Sequence, residues 1–167
     1  MVDKKQFKYY DKWYYSAVRL VLLIIDFKDD YRMLASMLSP AISSREARRA
    51  IKLLESLDMI RRDERGYYRP VEQHVDTGTN SYAMAINNYA LNTLKLAEYA
   101  FNNIPEEERR VSWVTAAVTK EGYRRIVNEM REFRRRIHEI TADDGAERIH
   151  QVNMQIFPLS KPKEGIE

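Results

Sequence analysis

The stretch SSREARRAIKLLESLDMIRRDERGYYRP, residues 43–70, decides the fold. Ser43 and Glu46 stand at the spacing of a capping box, in which each side chain satisfies the other residue's free backbone N–H, so a helix starts here. Ala47, Ala50, Ile51, Leu54 and Leu57 then recur at helical spacing and form one core-facing stripe. Arg45, Arg49, Lys52 and Ser56 lie opposite that stripe. After Asp58 the text changes period: Met59–Arg62 and Tyr67–Pro70 flank the turn residues Asp63-Glu64-Arg65-Gly66, which predicts two short strands of a hairpin.

Upstream, Lys12–Asp26 (KWYYSAVRLVLLIID) contains no Gly or Pro and is apolar on most sides. It reads as a helix buried on more than one face, covered in part by something besides its own domain. Tyr31–Leu38 is a shorter helix, stopped at Ser39-Pro40 because the residue before a proline is driven out of the α region. Three helices and a hairpin over residues 1–76 make a winged helix. Glu72–Asn80 (EQHVDTGTN) loses the apolar periodicity and reads as a linker, with the domain boundary between residues 76 and 77.

Downstream, Ser81–Asn103 predicts a long helix and Val111–Thr119 (VSWVTAAVT) a strand with two distinct faces. Tyr123, Ile126, Val127, Met130, Phe133, Ile137 and Ile140 recur at helical spacing and give the strongest amphipathic signal in the chain. A turn at Ala142–Gly145 leads to Ile149–Phe157, whose alternation reads as a second strand. The fold class is therefore α+β: the winged helix, then an α-β-α-β module over residues 77–160 and a flexible tail at 161–167. Two strands leave most of their edges unpaired, which predicts a homodimer with residues 81–157 at the interface.

The totals limit the chemistry. In 167 residues there are 28 Lys and Arg against 25 Asp and Glu. Residues 1–76 hold 15 basic and 12 acidic side chains and the remainder 13 of each, so the whole excess lies in the first half. Without cysteine there is no disulfide, thiolate nucleophile or Cys-type metal site. The longest apolar run, Trp13–Ile25, is interrupted by Ser16 and Arg19 and is too short to span a bilayer, and no signal peptide follows Met1; a cytoplasmic protein is expected.

Enzyme templates are missing or scattered. His74, His138 and His150 have no metal-ligand spacing between them, and the five glycines are dispersed, so neither a phosphate loop nor a dinucleotide fingerprint exists. Acid pairs at Asp29-Asp30, Glu106-Glu107-Glu108 and Asp143-Asp144 sit at turns or helix starts, where they suit turn geometry and the helix dipole. No catalytic residue, metal or cofactor is expected.

What remains is positive charge. Arg45, Arg48, Arg49 and Lys52 belong to the helix that a helix-turn-helix places in the major groove, and Arg61, Arg62, Arg65 and Arg69 belong to the hairpin beside it. These eight candidates for contact with duplex DNA could reach bases and phosphates. They share residues 43–70 with five acids, and winged helices also dock proteins, so a protein-interaction or dimerisation module stands as the alternative. Arg131, Arg134, Arg135 and Arg136 form a second basic cluster, interleaved with Glu129, Glu132 and Glu139 as expected for surface ion pairs; Arg134 alone falls inside the apolar arc. Tyr9, Tyr10, Trp13, Tyr14 and Tyr15 form an aromatic cluster expected to pack against another domain or subunit.

The order of segments is familiar. The aromatic-led helix (KWYYSAVRLVL), FKDDYRMLASMLSP, the hairpin and linker, VSWVTAAVTKEGYRRIVNEMREFRRRI and the ending QVNMQIFPLS at Gln151–Ser160 together resemble the domain-of-unknown-function 4423 family from about Trp13 to Ser160. The resemblance implies a winged helix joined to a C-terminal module in bacterial proteins described as transcriptional regulators. It also implies a further helix-turn-helix region ahead of this sequence in longer relatives, so that the chain would be a fragment. It supplies no catalytic or ligand-binding residues to carry over.

Overall fold

A computed structural model describes residues 4–71, 82–141 and 145–163, with side chains of 4–6 and 82–84 left aside. The predicted linker with His74, the 76/77 boundary, Asp143-Asp144 and the last four residues lie outside the described part. The fold is α+β: six α-helices and one two-stranded antiparallel hairpin among the described residues. No helix of the described part is long and apolar enough to cross a membrane. The chain forms two compact units, residues 1–110 with 145–151, and residues 111–144 with 152–167.

The first unit opens with α1 (Lys4–Tyr10), a helix the sequence reading did not foresee, and α2 (Trp13–Val21). The expected helix to Asp26 ends early: Leu23 N–H bonds back to Leu20 and Ile24 N–H to Val21, a tightening into turns. The unbroken apolar run Leu20–Ile25 hides this, because periodicity carries no stop signal where every position is apolar. Leu22 and Phe27 nevertheless have no exposure, so the turn delivers both into the core.

Helix α3 (Tyr31–Ser36) is capped by Asp30, whose carboxylate accepts from Met33 N–H at 2.9 Å. Helix α4 (Ser44–Ser56) carries the expected capping box: Ser43 Oγ accepts from Glu46 N–H at 3.2 Å, and the Glu46 carboxylate accepts from Ser43 N–H at 2.8 Å. Its C-terminus closes as a Schellman motif, with Met59 N–H bonded to the Leu54 carbonyl and Asp58 N–H to that of Glu55. Asp58 occupies the left-handed position at φ 55°, where glycine is the usual residue.

Strands β1 (Ile60–Arg62) and β2 (Tyr68–Pro70) pair with Arg61 opposite Arg69. Their loop depends on Gly66 at φ 80° and on the Asp63 carboxylate, which accepts from the N–H groups of Arg65 and Tyr67 at 2.9 Å each. Tyr68 N–H bonds to the Phe27 carbonyl at 2.9 Å, tying the hairpin to the segment before α3. One core results: Val18, Leu22, Phe27, Leu34, Ile51, Leu54 and Ile60 are buried together from α2, α3, α4 and β1.

The aromatic cluster belongs to this unit. Tyr9, Tyr14 and Tyr15 are buried in its core, with Tyr10 and Trp13 packed against it, so this part of the cluster is covered by its own unit. Burial lifts the Tyr9 and Tyr14 hydroxyls to about 12. Helix α5 (Tyr82–Asn103), assigned by the sequence reading to the 77–160 module, packs on α1 and α2: Ser16 Oγ and Tyr89 Oη lie 2.7 Å apart, and the rings of Tyr10 and Tyr89 meet edge to face. Helix α5 therefore belongs with the first unit, although the sequence reading placed it in the second module. Ile149 also packs on this core, and Arg148 pairs with Glu108.

In the second unit the long amphipathic helix is present as α6 (Lys120–Ile140), capped by Thr119, which accepts from Gly122 N–H at 3.0 Å. The two predicted strands are not. Residues 111–119 and 149–157 form no sheet in the described structure, which corrects the α-β-α-β expectation. A strand exists only through a ladder to another, and neither segment has one here. Trp113 and Val114 are 80% and 88% exposed, and no described residue of this unit is buried.

Candidate functional site

Helix α4 sorts its side chains by angle. At 100° per residue, Arg45, Arg48, Arg49 and Lys52 fall within an arc of about 100°, and Ala47, Ala50, Ile51 and Leu54 fall in a second arc directly opposite. The second arc is buried and the four cations are exposed. Core burial thus fixes the orientation of the helix and turns its basic face to solvent. The capping hydrogen bonds from the Ser43 backbone and hydroxyl hold the Glu46 carboxyl below its ordinary 4.5, so it is ionised beside the positive end of the helix dipole.

The eight sequence-predicted cations fall into two groups. Arg45, Arg49, Lys52, Arg61 and Arg65 make no side-chain hydrogen bond or ion pair within the described residues, and all five are exposed. The other three are engaged. Arg48 lies 4.1 Å from the centre of the Tyr31 ring. Arg62 stands 4.2 Å from the centre of the Tyr68 ring, bonds to Asp29 at 3.2 Å and donates to the Gly66 carbonyl at 3.0 Å. Arg69 pairs with Asp26 and Asp63, the latter at 3.1 Å, so it fastens the hairpin to the segment before α3. Burial would raise the Asp63 carboxyl, but the Tyr67 N–H, the Arg69 guanidinium and the Arg65 N–H outweigh it and hold the group low.

Sequence reasoning missed Lys28, whose ammonium lies 4.4 Å from the centre of the Tyr67 ring and adds a cation beside the hairpin. It also missed the rings of Tyr31 and Tyr68 as supports for Arg48 and Arg62. The Lys28 and Tyr31 contacts join segments 39 and 17 residues apart, beyond any local spacing, whereas Tyr68 faces Arg62 across the hairpin. On α6, Arg135 is the one member of the second basic cluster with an ion pair among the described residues, to Glu132 at 3.0 Å and to Glu139; Arg131 donates to Asn128 at 3.2 Å, and Arg124, outside the cluster, pairs with Glu121 at 3.4 Å.

His138 and His150 are both exposed, and among the described residues no group of three or more His, Asp or Glu side chains could hold a metal ion. The side chains that cluster here can attract and orient an anionic partner.

No curated protein and no solved structure matches the chain. The family described as Domain of unknown function (DUF4423) matches residues 1–159, nearly the whole length, and the chain belongs to that family.

Proposed function

We propose that the chain is a non-catalytic transcriptional regulator in which α2, α3, α4 and the β1–β2 hairpin act as a winged helix on duplex DNA. Helix α4 enters the major groove with Arg45 and Arg49 nearest the bases, while Lys52 and the hairpin arginines Arg61 and Arg65 reach phosphates. The observation that carries this reading is the cationic face of α4: three of its four cations make no side-chain hydrogen bond, ion pair or ring contact among the described residues, and burial of the opposite face commits them to solvent. Arg48, Arg62 and Arg69 are assigned a supporting part, because each is already held by a ring or a carboxylate. The protein works as a homodimer through residues 81–157, which matches two-fold operators to paired α4 helices.

The test is charge reversal. Arg45→Glu, Arg49→Glu and Lys52→Glu together should abolish gel shifts of duplex DNA at low salt, with the thermal unfolding of the chain unchanged. Unaltered shifts would remove α4 as the reader. A wild-type chain that shifts no duplex at all would favour the protein-docking role for this module.

A further inference from the structure

Helix α6 carries an apolar stripe that nothing within its own unit buries. Tyr123, Phe133 and Ile140 are 45%, 46% and 70% exposed, and Ile126, Met130 and Phe133 form part of the lining of an open groove of about 570 Å³, together with Glu129, Arg136 and Met154. The stripe repeats every three and four residues, which is the pattern of a helix that packs along another helix. Arg134 and Val127 lie on the other edge of the stripe and do not line the groove.

We propose that the groove is filled by α6 of a second copy, running antiparallel, with the two-fold axis crossing between Arg131 and Glu132. This rests on the homodimer reading above and specifies its contact. In that register Tyr123 faces Ile140 of the partner subunit, Ile126 faces Ile137 of the partner subunit, and Met130 faces Phe133 of the partner subunit, so six of the seven apolar positions of the stripe meet another and only Val127, at its edge, does not. The edge that lines the groove holds Glu129 and Arg136 next to the stripe, with Arg125 one step further round the helix. Antiparallel pairing sets that edge against itself, bringing Glu129 to Arg136 of the partner subunit and, by symmetry, Arg136 to Glu129 of the partner subunit. Parallel pairing would set the groove edge against the opposite edge, opposing Glu129 to Arg134 of the partner subunit and leaving Arg136 unmatched. Opposed helix dipoles favour the antiparallel choice as well.

Charge complementarity makes the proposal testable on the whole chain by analytical ultracentrifugation. Glu129→Arg and Arg136→Glu should each weaken the dimer by about tenfold or more, because each sets like charges against one another at two symmetric points. Mixed in equal amounts, the two variants should recover a heterodimer within about threefold of the wild type, since both contacts become attractive again. Arg134→Glu should leave the dimer nearly unchanged. With no native cysteine, a spin label on Lys120→Cys reports the orientation: about 35 Å between the two labels, from 23 residues of offset at about 1.5 Å each.

A wild type that stays monomeric at every concentration overturns both the dimer and this contact. A stable dimer indifferent to Glu129→Arg and Arg136→Glu, or one broken by Arg134→Glu, overturns the antiparallel α6 contact and leaves the dimer reading intact. Circular dichroism of each variant separates loss of helix from loss of association. The heterodimer supplies a positive result that a misfolded variant could not give.

Discussion

In the first unit Leu22, Phe27, Leu34 and Leu54 have no exposure at all, whereas in the second Trp113 and Val114 are 80% and 88% exposed and no described residue is buried. Both units contain well-formed helices with clear apolar stripes. They differ in whether the chain supplies a partner for each stripe. Helix α4 meets α2 and α3, and the cationic face left over is a surface, while α6 meets little of its own unit and its apolar face is left over instead. Burial therefore reports the company an amphipathic element keeps and not the strength of its pattern.

The sharpest way to break that contrast is to delete one ring from each unit. Phe27 packs edge to face on Tyr31 and stacked on Tyr68, and Phe27→Ala should cost about 3–5 kcal/mol in urea unfolding through lost transfer energy and a cavity. Phe133→Ala should change the stability of the monomer by no more than about 0.5 kcal/mol, because the ring is already half exposed. Equal losses at the two positions would mean that the second unit has a core of its own.

The hairpin offers a smaller effect. Gly66 sits at φ 80°, a conformation an alanine adopts only with strain, so Gly66→Ala should destabilise the first unit by about 1–2 kcal/mol and loosen the loop that carries Arg65. A cost near zero would show that the loop readily takes another turn type.

Ser43→Ala should cost about 1 kcal/mol, the usual value of an N-cap. The pH dependence of the same cap follows from its direction. The Glu46 carboxyl is held below its ordinary 4.5 in the folded protein, so its contribution is fully present above 4.5 and is lost as pH falls through the lowered folded value. Glu46→Gln should therefore flatten the acid limb of the stability curve and lower neutral stability by the height of that limb, since glutamine accepts the capping bond but carries no charge.

The smallest effect is a gain. Asp58 occupies the left-handed Schellman position, and Asp58→Gly should stabilise the first unit by about 0.5–1 kcal/mol, measured as a shift of the urea midpoint. A loss would mean that the aspartate side chain contributes more at that position than its backbone geometry costs.

Legibility in the sequence followed the range of the physics. The α4 start, stripe and opposite basic face were readable because capping and helical period act within a turn or two, and Ser43, Glu46, Ala47 and Leu54 stand where that reading puts them. The end of α2 was not, since Leu22–Ile25 are all apolar and the stop depends on where the core needs Leu22 and Phe27. Alternation at 111–119 and 149–157 describes two faces of an extended segment, but a strand also needs a ladder partner, and periodicity cannot say whether the chain provides one. The division of the eight cations, among the described residues, into five without and three with a side-chain partner depends on Tyr31, Asp29 and Asp26, which only the fold brings beside them, and on Tyr68, which the hairpin sets opposite Arg62.

The central claim is that the free cations of α4 and the hairpin neutralise DNA phosphates. Binding of the full chain to a generic duplex, followed by fluorescence anisotropy across a salt series, tests it most directly. The account predicts a linear fall of log affinity with log salt, with a slope between about −3 and −5 per chain for the five free cations and a shallower one after Arg45→Glu, Arg49→Glu and Lys52→Glu. Binding that is undetectable at low salt, or detectable and insensitive to salt, would contradict it.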